Sequence, residues 1–201
     1  MTMKTSYYLL TALAALGMIS CNKIDSPSPE QAEMGTIRVS VVEDPTQTKA
    51  VTAYTTSQDY EKAVKNVQVF IFDEAGNINI YSDLGTNVSA SIATTAGKKT
   101  VWAVVNGKNL SSVKTLTDLK AEAVKLEDNS KTGGFVMAGS GTCTVGTSEV
   151  TCSVSVSRLV SRIALRSVTN NLPSSLGSLE IRNVFISNVV GNQNIGGSAA
   201  A

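Results

Sequence analysis

Alternating apolar and polar residues are the main pattern of this chain between residues 35 and 168. Ile37, Val39 and Val41 alternate with polar residues and predict a first strand, which stops at 44–45 because proline cannot continue a strand ladder. Similar patterns predict strands over 67–72, 78–81, 88–94, 100–105, 135–138 and 159–168. Turn residues predict hairpins at 73–77, with Gly76 in the left-handed position, and at 96–99.

Helical periodicity is rare in the same stretch. Apolar residues at helical spacing predict one clear helix over 116–126, with Thr117 or Asp118 capping its start, and a single helical turn is expected within 59–65. Many short strands with one short helix indicate a mainly β fold, an antiparallel β-sandwich, rather than a sheet built from alternating strands and helices.

The C-terminal part of the chain has a different organisation. Residues 169–175 are polar with a proline and predict a domain boundary, after which 179–189 carries one more strand pattern. Because a lone strand cannot fold by itself, this segment either joins the sandwich or begins a second domain that is incomplete in this chain. We therefore expect a sandwich domain over 35–168, followed by a linker and a first strand of a truncated second domain over 169–201.

The N-terminal residues predict export. Lys4 is followed by an uncharged apolar run over 7–19, which is long enough for a signal peptide and short for a membrane span of about 20 residues. A serine then directly precedes Cys21, as in bacterial lipoprotein signals, which predicts removal of 1–20 and lipidation of Cys21. An ordinary secretory signal with a chance cysteine is the alternative. Residues 21–34 are expected to form a tether between the lipid and the fold.

A cysteine pair lies in the hairpin predicted over 141–156. If its turn centres on 147–148, Cys143 faces Cys152 on the apolar side of the hairpin. A disulfide between these two residues is then geometrically possible in an oxidising compartment. Two reduced cysteines that pack as small apolar side chains fit the same pattern.

Composition excludes several classes of function. The 201 residues include no histidine, which removes Ser-His-Asp and Cys-His catalysis and imidazole-based metal sites. The net charge of +1 provides no field that attracts nucleic acid. Asp73, Glu74 and Asp83 lie beside predicted turns, where acids are ordinarily solvated, and Trp102 lies in an apolar strand, where core packing is favoured over ligand stacking. We expect no enzyme activity and no cofactor.

The order of these features carries a family resemblance. With the signal and the first strand, the pieces are Thr48-Lys49-Ala50, residues 67–72 followed by Asp73 and Gly76, Trp102-Ala103-Val104-Val105-Asn106, Phe135-Val136-Met137-Ala138-Gly139, and residues 157–165. Over 35–168 the chain resembles the N-terminal domain of the fimbrillin family, the FimA-like major fimbrial subunits of type V pili in Bacteroidales.

The resemblance implies a fold, a location and a way of assembly. Family members are tandem transthyretin-like β-sandwiches, exported as lipoproteins to the outer membrane, from which a trypsin-like protease removes the tether and first strand. Carried over, this implies a cut between Lys49 and Ala50, where the family usually has arginine before the cut. Ile37, Val39 and Val41 would then leave a groove that a strand of another fimbrial subunit fills.

The resemblance therefore implies an adhesive cell-surface fimbrium. Its subunits would bind each other by strand exchange, attach to the outer membrane through the lipid on Cys21, and bind a host or bacterial surface ligand. The alternative from the same residues is a monomeric surface lipoprotein that binds a glycan or a host protein through loops at one end of the sandwich.

Overall fold

The computed structural model describes residues 33–44, 59–130, 132–161, 163, 165, 167–173, 175, 177 and 180–197. All of them belong to one compact unit, which spans residues 32–201. The predicted signal peptide, Cys21, and the predicted cut between Lys49 and Ala50 lie outside the described residues.

The fold is mainly β. The strands are β1 Met34–Glu43, β2 Val67–Phe72, β3 Ile78–Asp83, β4 Ser89–Thr95, β5 Gly97–Val105, β6 Ala123–Lys125, β7 Met137–Val145, β8 Val150–Arg158 and β9 Asn192–Asn194. Between them, the described residues form two short α-helices, α1 Asp59–Lys62 and α2 Leu116–Ala121, and a 3-10 turn over Leu126–Asp128. The prediction of a strand-rich chain with little helix is confirmed.

The principal strands follow the hydrogen-bonded order β3-β2-β5-β7-β8-β1-β4. The row of strands bends sharply between β7 and β8, because these two strands pair only at Met137 with Arg158 and at Ala138 with Ser157. A central sheet of β3, β2, β5 and β7 therefore faces a smaller sheet of β8, β1 and β4. The predicted sandwich is confirmed, with one difference: β1 runs parallel to β8, whereas its pairing with β4 is antiparallel.

The two sheets enclose an apolar core. Alternate residues of β1 and β8 from the smaller sheet pack against alternate residues of β2 and β5, among them Val69 and Val101, which are fully buried. The opposite face of β2 and β5 is covered as well, because α2 and its flanking segments pack over Phe70 and Trp102. Every residue of β2 is consequently buried, which explains its apolar sequence apart from Gln68, whose amide group is hydrogen-bonded to the backbone of Lys108 and Leu110.

Two glycines permit the fold between β7 and β8. A Cβ atom at Gly139 would lie 1.9 Å from the backbone oxygen of Ser155, and one at Gly141 would lie 2.6 Å from that of Ser153. Real side chains do not tolerate such distances to backbone atoms. The β8 backbone can therefore lie against β7 only because these two positions carry no side chain.

The hairpin predicted at 96–99 is wrong. β4 and β5 are both strands, but β4 pairs with β1 and β5 pairs with β2 and β7. The connection at Ala96 and Gly97 instead passes from the smaller sheet to the central sheet, with Gly97 at a φ of 106°. A short turn between two strands has the same sequence pattern whether the strands pair with each other or belong to different sheets. By contrast, the turn at 73–77 is a hairpin as predicted, with Gly76 at a φ of 83°.

The helix predicted over 116–126 is too long. α2 ends at Ala121, and its N-cap is Thr115, whose hydroxyl accepts a hydrogen bond from the Asp118 amide, rather than Thr117 or Asp118 itself. The residues that follow form β6, which pairs with β9 near the C-terminus of the chain. Pairing with a distant segment therefore overrides the helical spacing of residues 123–126.

The strands predicted over 159–168 and 179–189 are also wrong for the residues that the structure describes. β8 ends at Arg158, and the described residues that follow have no regular secondary structure until β9. Leu159, directly after β8, and Ile195, just after β9, are buried against the outer layer of the central sheet. Between them the large apolar side chains that the structure describes from Ile163 to Val190 are solvent-exposed, from 49% for Ile181 to 85% for Phe185.

Candidate functional site: strand β1 and its groove

β1 is the middle strand of the smaller sheet. It forms an antiparallel ladder with β4, from Met34 paired with Thr95 to Ser40 paired with Ser89. On its other side it forms a parallel ladder with β8, from Ile37 paired with Val150 to Glu43 paired with Val156. Removing β1 would thus leave two open strand edges, those of β4 and β8, which face each other across a gap one strand wide.

The apolar side of β1 fills the sandwich core. Ile37 and Val39 are fully buried and Val41 is 7% exposed, whereas Arg38 and Val42 on the opposite face are exposed. Burial of side chains of this size stabilises a fold by about 1.5–3 kcal/mol each. Because whole domains are stable by only about 5–15 kcal/mol, the three side chains together are comparable to the entire margin of stability. The groove therefore needs an occupant of this shape and polarity.

The N-terminal end of β1 fits tightly under the turn between β7 and β8. A Cβ atom at Gly35 would lie 2.0 Å from the backbone oxygen of Gly146, so the strand enters the groove at a position that excludes a side chain. The Ala96 amide donates a hydrogen bond of 2.6 Å to the carbonyl of Glu33 just before the strand. These two contacts fix the register of β1 relative to its neighbouring strands.

The C-terminal end of β1 is held by an arginine at the end of β8. The Arg158 guanidinium makes a 2.5 Å contact with the Glu43 carboxylate and donates to the backbone carbonyl of Glu61 in α1 at 3.1 Å. The Asp44 amide donates to the carbonyl of Val156 at 2.9 Å. Since the Arg158 and Glu43 side chains are partly exposed, the ion pair adds modestly to the larger contribution of the core residues.

The cysteine pair lies beside the same groove. Cys143 is half-buried in β7 and Cys152 is buried in β8, where it pairs with Val39 of β1. Both thiols are free, and burial, followed by the nearness of the Cys143 thiol, raises the pKa of Cys152. The structure therefore brings the two cysteines together, as the hairpin pattern predicts, in their reduced form.

The carboxylates near the turns have structural partners. Asp73 accepts a hydrogen bond from the Asn77 amide at 2.8 Å, and Asp83 accepts one from the Gly85 amide at 2.9 Å. Both side chains thus stabilise the turns that they adjoin. In the part of the chain that the structure describes, no group of three or more carboxylate, thiol or imidazole side chains is placed to hold a metal ion.

Two other side chains have clear packing roles. Trp102 is 8% exposed in the outer layer of the central sheet, with the Lys120 ammonium 5.9 Å from its ring centroid, so the prediction of core packing is confirmed. Lys99 is 3% exposed and donates to the Thr95 hydroxyl at 2.8 Å, near the side of the sandwich where β3 and β4 meet. The sequence pattern did not predict Lys99 as a buried residue, because lysine is rarely buried.

The described residues include no helix that is both long and apolar enough to cross a bilayer. No individually curated protein matches the sequence. Solved structures do match, with TM-scores of 0.47 in three cases. One is a protein provisionally described as a cell adhesion protein from Bacteroides eggerthii, 25% identical, with 64% of this chain and 41% of that chain covered.

The other two come from Porphyromonas gingivalis. A fimbrilin is 11% identical, with 62% of this chain and 39% of that chain covered. The tip fimbrial protein Mfa3 is 13% identical, with 63% and 48% covered. This chain therefore spans less than half the length of these solved structures.

A family model described as the major fimbrial subunit protein (FimA) matches residues 35–172. The match begins at the second residue of β1 and extends past the end of β8, so it contains both sheets of the sandwich. It also covers more than half of the sequence. The chain belongs to the FimA major fimbrial subunit family.

Proposed function

We propose that this chain is a non-enzymatic structural subunit of an adhesive cell-surface fimbrium, assembled when β1 is exchanged for a strand of another subunit. The observation that carries the proposal is the position of β1. It is a middle strand whose apolar side chains fill the core, and its departure would leave open edges on β4 and β8. The family membership supports the fimbrial role.

The trigger in this proposal is proteolysis between Lys49 and Ala50. β1 ends at Glu43 and α1 begins at Asp59, so a cut at this position separates β1 covalently from the rest of the sandwich. After the cut, β1 is held by the two ladders, the core side chains, the backbone hydrogen bonds from Ala96 to Glu33 and from Asp44 to Val156, and the contact between Glu43 and Arg158. All of these contacts are non-covalent, and a second copy of the strand, or a strand of similar pattern, can replace them.

Export precedes this step. In the proposal, the apolar run over 7–19 directs the chain out of the cytoplasm and Cys21 receives a lipid that anchors it to the outer membrane. The segment between Cys21 and β1 is the tether. The cut at Lys49 then releases the sandwich from both tether and lipid, so that anchoring ends when assembly begins.

The exposed face of β1 is consistent with a strand that stays intact until it leaves. Arg38 lies within both ladders, paired with Ser91 of β4 and Thr151 of β8. A protease must unfold several residues around the bond that it cuts, and two ladders oppose that unfolding. We therefore expect trypsin to cut after Lys49 before it cuts after Arg38.

Limited digestion of the purified full chain with trypsin tests the proposal. We expect a product that starts at Ala50 and that forms oligomers resistant to mild denaturant, as judged by size-exclusion chromatography. The matched controls are Lys49→Gln, which removes the cut and should stay monomeric, and Lys49→Arg, which restores it. A product that starts at Ala50 but remains strictly monomeric would contradict the proposal and favour a monomeric surface lipoprotein.

A further inference from the structure

The hairpin of β7 and β8 is only partly joined by hydrogen bonds. The two strands pair at Met137 with Arg158 and at Ala138 with Ser157, close to one end. Beyond these pairs, β7 bonds along its length to β5, and β8 bonds to β1. The Val150 end of β8 is therefore connected to the rest of the sandwich by a ladder that consists of β1 alone.

Cys143 and Cys152 lie within this weakly joined part. The register at the paired end, continued along both strands, places Cys143 opposite Cys152. The β8 backbone lies close to β7 at this point, since a Cβ atom at Gly141 would lie 2.6 Å from the backbone oxygen of Ser153 and 3.5 Å from the Cys152 sulfur. Cys152 belongs to the sandwich core, and the partly buried Cys143 packs against the same core. Opposed residues on two strands can be joined by a disulfide where their Cα atoms lie within about 7 Å.

We propose that Cys143 and Cys152 form a disulfide in the mature protein, and that this bond holds the Val150 end of β8 against β7 when β1 is absent. The second part rests on the proposed function, because only strand exchange empties the groove. A preformed groove binds an incoming strand more tightly than one whose edge must be ordered again at each encounter.

The oxidation balances with a low-molecular-weight disulfide as the oxidant. The thiolate of Cys143, the more accessible of the two, attacks the oxidant and releases one small thiol. The sulfur of Cys152 then displaces the second small thiol from Cys143, and the proton of Cys152 passes to that leaving group. Two protein thiols lose two electrons and two protons, and one small disulfide becomes two small thiols.

The environment of Cys152 fits its place as the second sulfur to react. Burial raises the pKa of its thiol to about 12, with the hydrogen bond to Cys143 as a further cause. A thiol held protonated in this way does not attack an oxidant from solvent at neutral pH. It reacts only with a neighbour that is already activated, and Cys143 is that neighbour.

Mass spectrometry of the full chain tests whether the bond forms. Trypsin releases residues 132–158 as one peptide, which contains Cys143 and Cys152 and excludes Cys21. After treatment with oxidised glutathione and alkylation under denaturing conditions without reductant, we expect this peptide two hydrogens lighter and unalkylated. Two alkyl groups on the peptide, or a stable glutathione adduct, would overturn the proposal. Cys143→Ala is the control, in which no such peptide can form.

Hydrogen exchange of the uncut chain tests the second part without protease or oligomers. Val41→Ala weakens β1 and lets it open more often. In that variant we expect amide exchange over residues 150–154 to be about tenfold slower in the oxidised than in the reduced protein, because the bond retains β8. Equal rates would overturn the role in holding β8, whatever the outcome of the assembly experiment. Cys143→Ala with Val41→Ala should exchange at the reduced rate under both conditions.

Discussion

β1 and the segment 180–190 both carry a strand pattern in the sequence, and they have different structures. β1 alternates apolar with polar residues, whereas 180–190 is rich in the β-branched and aromatic residues that favour strands. β1 lies between two ladders with Ile37 and Val39 fully buried, whereas Ile181 and Phe185 are 49% and 85% exposed in a segment without strand structure. The comparison shows that residues with strand propensity make a segment able to form a strand, while an available pairing partner decides whether it does.

A charge in the core should have the largest effect. Val39→Asp places a carboxylate among the buried apolar side chains of both sheets, and we expect the sandwich to lose its cooperative fold. Val42→Asp introduces the same group on the exposed face of the same strand and should fold normally. Circular dichroism and urea unfolding distinguish the two variants. A cooperatively folded Val39→Asp protein would show that β1 is dispensable to the core.

Equivalent truncations should separate the two segments. Ile37→Ala removes a fully buried side chain and should lower the free energy of unfolding by about 2–5 kcal/mol. Ile181→Ala removes a half-exposed side chain of the segment 180–190 and should change the free energy of unfolding by less than about 0.5 kcal/mol. Urea midpoints at constant slope give both values. Similar losses in the two variants would mean that 180–190 packs as β1 does.

Two glycines extend the comparison to the backbone. Gly139→Ala brings a methyl group within 1.9 Å of the Ser155 oxygen, and the resulting strand shift should cost about 1–3 kcal/mol. Gly191→Ala, just before β9, adds a methyl group that meets no atom within 4 Å, and it should leave the thermal midpoint nearly unchanged. An unaltered midpoint for Gly139→Ala would contradict the close approach of β7 and β8.

The smallest effect is expected at the C-terminal end of β1. Glu43→Gln removes the charge that faces Arg158 and should lower stability by about 0.2–1 kcal/mol, because the pair is partly exposed. Added salt should reduce the difference from the unchanged protein. A loss that persists in high salt would assign the effect to packing rather than to the ion pair.

Local patterns in the sequence predict the strands that pack on a core, and the hairpin between β2 and β3. They do not predict partners at a distance. The parallel pairing of β1 with β8 joins residues more than a hundred positions apart, and the passage from β4 to β5 between sheets resembles a hairpin in sequence. β6 forms where helical spacing favours α2, because β9 provides a partner.

The candidate site shows the same limit. Alternation identifies Ile37, Val39 and Val41 as the buried face of a strand, while their role as a displaced strand is implied only by the family resemblance. Cys143 and Cys152 are brought together as their hairpin predicts. The sequence pattern does not identify the contact between Arg158 and Glu43, since these two residues lie on strands that are far apart in the chain. Gly35, Gly139 and Gly141 matter through close backbone contacts, for which an isolated glycine in a strand is the sequence signal.

A reversible lock on β1 tests the central claim most directly. Arg38 and Ser91 are paired between β1 and β4, and the hydrogen bond from the Val41 amide to the Val88 carbonyl places them at a non-hydrogen-bonded position, where Cβ atoms lie closest. The double variant Arg38→Cys with Ser91→Cys can therefore carry an engineered disulfide. After tryptic cleavage at Lys49, we predict that the oxidised variant stays monomeric and that reductant releases β1 and starts oligomer formation. Oligomers that form while β1 is still locked would contradict assembly by strand exchange.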